Sequence, residues 1–422
     1  MSSDTRTLVV VLDAGDLGPR RPVGLLRRRP GLRPVVSFEY VRSWLEATDR
    51  FPLEPSLPLV PGEQFTAGGG LPGIFADASP DRWGRRLIER REAANARRED
   101  RLPRQLDDWD FLVGVADATR MGALRLGAGR DGPFLDDQPG IVPPLTRLRT
   151  LEFAAQRLDD PDGAPLDDPD VALLIAPGSS LGGARPKANY LDPDGTLWIA
   201  KFPSRQDRWD VGAWEHLVAQ LAQAAGVTVA ESRALRLSTM GTTYATRRFD
   251  RDGDRRRLFV SAMTMIGKAD GDEASYLELA QAIADFVEPR AVEADLAQMF
   301  RRLVFNVMVG NRDDHLRNHG FLRTLGGWRL APAFDVNPAP ELGEHALAID
   351  DRSHGPSLEL AAATRSFYRL SADEATETVR QVEGALAGWE ARSRAGALPL
   401  AEIELMRASI GAASHREASA AD

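Results

Sequence analysis

Cysteine is absent from this chain of 422 residues. Its absence excludes disulfides, thiolate zinc sites, iron–sulfur clusters and a cysteine nucleophile, and it fits a cytosolic protein. Long apolar runs are missing too: no stretch reaches the ~18 consecutive apolar residues that a membrane span needs. The N-terminal MSSDTRTLVVVLDAGDLG lacks the basic start, apolar core and cleavage site of a signal peptide. A basic surplus is missing as well. Lys+Arg number 53 against 62 Asp+Glu, giving a net charge of −9. Bulk attraction to nucleic acid is therefore excluded, and only a local basic patch could serve. No G-x-S-x-G elbow anchors a serine-hydrolase reading. These absences predict a cytoplasmic protein with no membrane partner. At about 150 residues per domain, its length predicts two or three domains.

What is present begins with strand-like runs at Leu8–Leu12, Val23–Leu26 and Val35–Tyr40, separated by turn-forming stretches. Next comes S-P-D-R-W-G-R-R-L-I-E-R, with Ser79 predicted as N-cap and Pro80 as first helical residue. The helix carries Arg82, Arg85, Arg86, Arg90, Arg91, Arg97 and Arg98. This charge reads as a solvated face offset by Glu89, Glu92 and Glu99, with an acidic or nucleic-acid partner as the alternative. Residues 128–170 are rich in Asp, Pro and Gly and read as linkers around a short helix at Leu151–Leu158. Further on, Thr196–Phe202, Arg233–Leu237 and Thr243–Phe249 read as strands, and Gly212–Gly226 as a helix. The clearest helix spans Leu296–Val309. Leu296, Met299, Phe300, Leu303, Val304, Val307 and Met308 form one apolar face, stopped by Gly310. Gly320–Leu330 reads as a hairpin around Gly326–Gly327.

The chemistry follows that helix. In N-R-D-D-H-L-R-N, Asp313 and Asn318 stand in D-x-x-x-x-N spacing. This is the spacing of a kinase catalytic loop, where the Asp receives the hydroxyl proton and the Asn holds a metal ion. Phosphoryl transfer needs a carboxylate beside the nucleophile and hard oxygen ligands for Mg²⁺. Asp335, in A-F-D-V, follows the hairpin, where a kinase keeps its main metal-binding carboxylate. Alone, D-x-x-x-x-N also reads as a capped polar turn; helix, hairpin and second Asp together raise its specificity. His315 and His319, four apart, could offer zinc two ligands, but the spacing lies in a loop and no H-E-x-x-H accompanies it.

Upstream, Lys201 ends the strand L-W-I-A-K on the same face as Leu197 and Ile199. A lysine there is costly unless a charge pairs with it. Glu215, on the next helix, offers the kinase Lys–Glu pair that orders ATP phosphates. The alternative is a snorkelling edge lysine and a surface glutamate. Before the strand lies G-S-S-L-G-G-A-R-P-K, from Gly178 to Lys187. Its glycines would let backbone N–H groups approach phosphates, though a plain turn has the same composition.

Taken in order, these segments resemble the HipA family, bacterial serine/threonine kinases that act as toxins of type II toxin–antitoxin systems. The resemblance covers nearly the whole chain. It rests on S-P-D-R-W-G-R-R-L-I-E-R at 79–90, M-G-A-L-R-L at 121–126 and S-L-G-G-A-R-P-K at 180–187. It rests also on R-R-F-D-R at 247–251, on N-R-D-D-H-L-R-N and on A-F-D-V. It implies an α+β, two-lobed protein-kinase-like fold behind a small N-terminal α/β domain. The expected domains are 1–130, an N-lobe at 146–250, a mainly helical C-lobe at 251–405 and a flexible tail at 406–422.

The resemblance also implies roles. Asp313 would be the catalytic base, and Asn318 and Asp335 would hold Mg²⁺. Gly182, Gly183, Ala184 and Lys187 of the phosphate loop, with Lys201 and Glu215, would bind ATP. Backbone groups of Arg247–Phe249 would hold the adenine, with His315 and Asn318 near the nucleotide. Ser180, with Ser179 beside it, matches the loop serine that family members autophosphorylate; a bare reading makes it a loop-capping hydroxyl. The implied target is an aminoacyl-tRNA synthetase such as glutamyl-tRNA synthetase. The implied inhibitor is a small HipB-like helix-turn-helix antitoxin, through which the kinase would reach operator DNA. Three departures stand out. Arg247 replaces a frequent Glu, Arg185-Pro186 would stiffen the loop, and Asp314 adds like charge beside Asp313. The rival functions are a small-molecule kinase of similar fold and an inactive co-repressor bridging DNA-bound antitoxin.

Overall fold

The computed structural model describes residues 5–31, 33–137, 140–159, 171, 174, 183 and 185–411. The chain divides into two compact units. One holds Met1–Arg205 with Arg247–Val260; the other holds Gln206–Thr246 with Ser261–Asp422.

The first unit opens with β1 (Arg6–Leu12), β2 (Arg21–Arg29), β3 (Val35–Tyr40), β4 (Gln64–Phe65) and β5 (Leu124–Gly127). They form an antiparallel sheet in the order β4-β3-β2-β1-β5. The three expected strands all form; the first two are extended by polar ends, and the third keeps its expected bounds. β1 lies between β2 and β5, so consecutive Val10, Val11 and Leu12 are all buried, as a central strand allows. Gly24 on β2 lets the Phe38 ring lie across the strand, where any Cβ would collide with it. That ring meets Tyr40 edge-on at 4.8 Å and Phe75 at 5.6 Å.

The arginine-rich helix runs Arg82–Arg98, and its N-cap is Asp81, not Ser79. The Ser79 hydroxyl donates to the Phe75 carbonyl (2.9 Å), closing the previous turn. The Asp81 carboxylate instead accepts from the Gly84 N–H (2.8 Å), where a negative charge also suits the helix dipole. The basic face is less solvated than its sequence suggests. Arg85 pairs with Asp108 (2.9 Å), Arg91 donates to the Gly114 carbonyl (2.7 Å), and Glu92 is buried under Arg101 and Arg104. The Asp/Pro/Gly stretch after β5 is also not all linker. Phe134 bridges to Gly127, and the Leu135 N–H donates to the Leu126 carbonyl (2.9 Å).

The M-G-A-L-R-L and R-R-F-D-R blocks meet in one buried ionic knot within this unit. Asp250 accepts from Arg248 Nε (2.8 Å) and Nη2 (2.7 Å), from the Gly122 N–H (2.8 Å) and from Arg251. Arg248 also donates to the Thr119 carbonyl (2.7 Å) and Asn189 Oδ1 (3.1 Å), and Arg251 to the Arg120 carbonyl (2.7 Å). Burial alone would raise the Asp250 carboxyl, but the two guanidinium groups outweigh it and hold it far below the carboxylate range. The unit ends in a hairpin, Lys187–Leu191 with Leu197–Lys201, in which Lys187 stands opposite Lys201.

The second unit is mainly helical. Helix Val292–Val309 packs against Tyr276–Phe286, Leu358–Ala363 and Ala372–Leu386. Every residue of the predicted apolar face is buried, and Phe305 and Asn306 are buried too, so neighbours cover more of the helix than one face. Helix Val211–Ala224 is capped by Asp210, which also accepts from the Thr242 N–H (3.0 Å). Strand Ser232–Leu235 pairs with Thr243–Arg247 from Leu235↔Thr243 to Ser232↔Thr246. The later hairpin pairs Gly320–Thr324 with Gly327–Leu330, and its turn is Leu325–Gly326. Met406, Ser409 and Ile410 are buried, so packing continues beyond the predicted start of the tail. Among the described residues, no helix is long and apolar enough to cross a membrane.

Candidate active site

The catalytic segment depends on how its helix stops. Gly310 takes the left-handed conformation (φ 71°), and a Cβ there would collide with Ser409. No other residue type fits both the backbone and the space. The Asn311 N–H returns to the Asn306 carbonyl (2.9 Å), and the Asn311 amide donates to Asn306 Oδ1 (3.1 Å). Arg312 is buried and donates to the Leu342 carbonyl, while its own carbonyl accepts from the Ala346 N–H (2.8 Å).

From there the chain passes through an extended His315 into a 3-10 turn at Leu316–Asn318, and its side chains alternate in exposure. Asp313, His315 and Arg317 are exposed; Asp314, Leu316 and Asn318 are buried. The Asn318 amide donates to the Asp313 carbonyl (3.3 Å), closing the loop between the two residues of the D-x-x-x-x-N pair. The Asp313 carboxyl lies above its ordinary value. Crowding by the surrounding chain desolvates it, His315 opposes the shift, and the charges of Asp335 and, least, Asp314 add to it. Asp313 and Asp335, 22 positions apart in the sequence, are thus brought within electrostatic reach.

Asp314 does not stand in the site as its position beside Asp313 suggests. Its carboxylate turns inward and accepts from Tyr276 OH (2.5 Å), Asn306 Nδ2 (2.9 Å) and His319 Nε2 (2.8 Å). Burial would raise this carboxyl, but His319 and the hydrogen bonds hold it below its ordinary value. The two adjacent carboxylates thus face different surroundings, Asp313 exposed and Asp314 buried. His315 is exposed and His319 buried against Asp314, so the two histidines do not form a zinc pair.

Asp335 is half-buried and held at φ 57°, a conformation that costs a non-glycine residue energy and so marks a fixed position. Asn337 Nδ2 reaches its carboxylate at 3.4 Å, and Asn337 Oδ1 is buried without a hydrogen-bond partner. The oxygens of Asp335 and Asn318 and the orphaned Asn337 oxygen are the donor type that a hard divalent cation takes. Among the described residues, no cluster of three His, Asp or Glu side chains could cage a metal alone. An ion held by few protein ligands and completed by phosphates or water needs no such cage.

The remaining predicted residues lie as follows. In the first unit Lys201 is buried at the end of its strand, and Arg247 and Phe249 are half-buried, the Phe249 ring 5.7 Å from Phe259. Lys187 is fully buried, its ammonium 2.6 Å from Asp81 and 3.1 Å from the Gly183 carbonyl. Gly183 has φ 82°. Glu215 is buried on its helix in the second unit. Ser179, Ser180, Gly182 and Ala184 lie outside the described residues. Sequence reasoning missed Asn337, which follows A-F-D-V by one residue, and the buried partners Tyr276 and Asn306, which no local pattern marks.

Two family models match the chain: the HipA N-terminal domain over residues 18–126 and the HipA-like C-terminal domain over residues 179–389. A Sinorhizobium fredii protein whose name, Y4dM, carries a kinase designation is 27% identical over 323 residues, covering 63% of this chain and 75% of that protein. The serine/threonine-protein kinase toxin HipA of Shewanella oneidensis is 24% identical over 386 residues, covering 83% of this chain and 80% of that protein. Among solved structures, the complex of Shewanella oneidensis HipA, HipB and operator DNA aligns with TM-score 0.66 at 18% identity. The alignment covers 95% of this chain and 94% of that one. It supports the mixed helix-and-sheet, kinase-like fold that the motifs predict.

Proposed function

We propose, from the premise that this chain belongs to the HipA family, that it is an ATP-dependent serine/threonine kinase and the toxin of a type II toxin–antitoxin pair. The observation that carries the reading is the exposed Asp313, electrostatically coupled to Asp335 and hydrogen-bonded through its carbonyl to Asn318. Asp313 accepts the proton of the attacking hydroxyl as the γ-phosphoryl group transfers; its raised carboxyl makes it a better base than an ordinary aspartate. Asn318 and Asp335, with the Asn337 oxygen as a further donor, would hold Mg²⁺. The bound ion would neutralise phosphate charge during transfer. Lys201, Glu215 and the loop from Gly182 to Lys187 serve to bind ATP. Backbone groups of Arg247–Phe249 hold the adenine, and His315 lies at the nucleotide. Most of the rate would come from positioning and charge neutralisation.

The protein is read as cytoplasmic. Its target is an aminoacyl-tRNA synthetase such as glutamyl-tRNA synthetase. A HipB-like antitoxin restrains it and links it to operator DNA; the Shewanella structure is a complex of HipA, HipB and operator DNA. Ser180 is the site of autophosphorylation. A phosphate there carries about −1.5 to −2 charge, which is incompatible with ATP phosphates in the same loop.

The test is γ-labelled ATP with host lysate, wild type against Asp313→Asn. Wild type labels a discrete protein band and the variant labels none. Equal labelling by both removes Asp313 from its role, and labelling of a metabolite without any protein makes the enzyme a small-molecule kinase.

A further inference from the structure

We infer that Asp81 and Trp83 are positioning residues for nucleotide binding, fixing Lys187 and, through it, the Gly183 end of the phosphate loop. The inference rests on the proposed kinase reading and deepens it. It concerns two residues of the S-P-D-R-W-G block that no chemistry of the site has used.

The argument starts from register. Lys187 and Lys201 are directly opposite in an antiparallel hairpin, so their side chains leave the same face of it. Both residues are buried, at 1% and 9% exposure. Two lysines opposite each other on a buried face are costly unless counter-charge stands by. For Lys187 that charge is Asp81, whose Oδ2 lies 2.6 Å from the ammonium. The other Asp81 oxygen is occupied as helix cap by the Gly84 N–H, so the carboxylate is fixed by a regular helix before it meets the lysine. Trp83, two residues on and itself buried, donates its indole N–H to the Lys187 carbonyl (2.9 Å). The lysine is therefore held at both ends of the residue, main chain and ammonium.

The ammonium also donates to the Gly183 carbonyl (3.1 Å). Gly183 is in the left-handed region, where glycine is free to turn its peptide either way. Lys187 removes that freedom. A phosphate-binding loop works through backbone N–H groups, and their direction is set by peptide planes of this kind. Lys187 thus serves the nucleotide through loop shape, leaving Lys201 as the lysine that meets phosphate.

Asp81→Asn keeps the shape and the helix cap but removes the counter-charge. In the full chain it should raise the KM for ATP about tenfold or more, the range of one charge-assisted hydrogen bond, with kcat little changed. Trp83→Phe keeps the buried ring and loses only the indole bond, and should raise KM a few-fold. Asp81→Glu restores the charge and part of the affinity. MgATP binding by calorimetry gives the same order without turnover, and far-ultraviolet circular dichroism checks folding. A merely structural role would instead lower the unfolding midpoint and the active fraction at unchanged KM. Should Asp81→Asn not fold, Trp83→Phe and Asp81→Glu carry the test. Wild type that binds MgATP beside folded variants that bind it equally well overturns the inference alone. Wild type that binds no MgATP overturns the kinase reading, and the inference falls with it.

Discussion

The Arg248–Asp250–Arg251 knot and the Asn311–Asn318 segment are both dense in charge, and both carry family motifs, yet they use charge in opposite ways. In the knot the carboxylate is saturated: two guanidinium groups and a backbone N–H converge on Asp250, out of water. In the segment Asn311, Arg312, Asp314 and Asn318 are buried, with Asp314 fully partnered inside, whereas Asp313, His315 and Arg317 are held outward. The electrostatics follow the same division. Asp250 and Asp314 are held below the ordinary carboxylate range by their partners, whereas Asp313 is pushed above it by desolvation and by neighbouring carboxylates. Charge that is fully partnered builds the fold. Charge kept short of partners costs stability and is available for chemistry.

This contrast can be broken most forcefully at the knot. Asp250→Ala strands two buried guanidinium groups and should cost about 3–5 kcal/mol, read from the denaturant transition of the first unit. A loss below about 1 kcal/mol would place the knot among the weak surface pairs. The knot should also be sensitive to acid. The folded pKa of Asp250 is depressed, so its contribution is fully present above the unfolded value of about 3.9 and lost as pH falls towards the folded value. An Asp250→Asn variant should show a shallower decline in stability over that window.

Asp314→Ala should have the next largest effect. It leaves Tyr276, Asn306 and His319 without their shared acceptor and should cost about 1–3 kcal/mol. Wild-type stability in this variant would mean that the inward half of the segment does not hold it in place. The smallest effect belongs to exposed pairs such as Arg380–Glu377 (2.6 Å). Arg380→Ala should leave the unfolding midpoint at the wild-type value, because solvent screens such a pair. A clear drop there would blur the distinction between partnered and exposed charge.

Much of this was legible in the sequence. Periodicity marked the Val292–Val309 helix and its glycine stop, strand-like runs marked β1 to β3, and the spacing of Asp313, Asn318 and Asp335 pointed to the candidate site proposed above. Each of those signals is local. The rest depended on residues far apart in the chain. Asp81 reads as one more acid beside a plausible Ser79 cap until Lys187, 106 residues later, meets it. Asp250 reads as part of a hinge until Gly122, 128 residues earlier, donates to it. Asp314 reads as a second acid in the site, because the sequence alone does not say which way the segment turns its alternate side chains.

The measurement that tests the account most directly is the phosphoryl-transfer rate of Asp313→Asn, taken on protein whose unfolding midpoint is recorded in the same buffer at pH 7. Asp313 is exposed and its ionised form is disfavoured by its surroundings. The account therefore predicts a rate lower by about 10²–10⁴-fold with a midpoint equal to or above that of wild type. A wild-type rate, or a lost rate accompanied by a lowered midpoint, would contradict it.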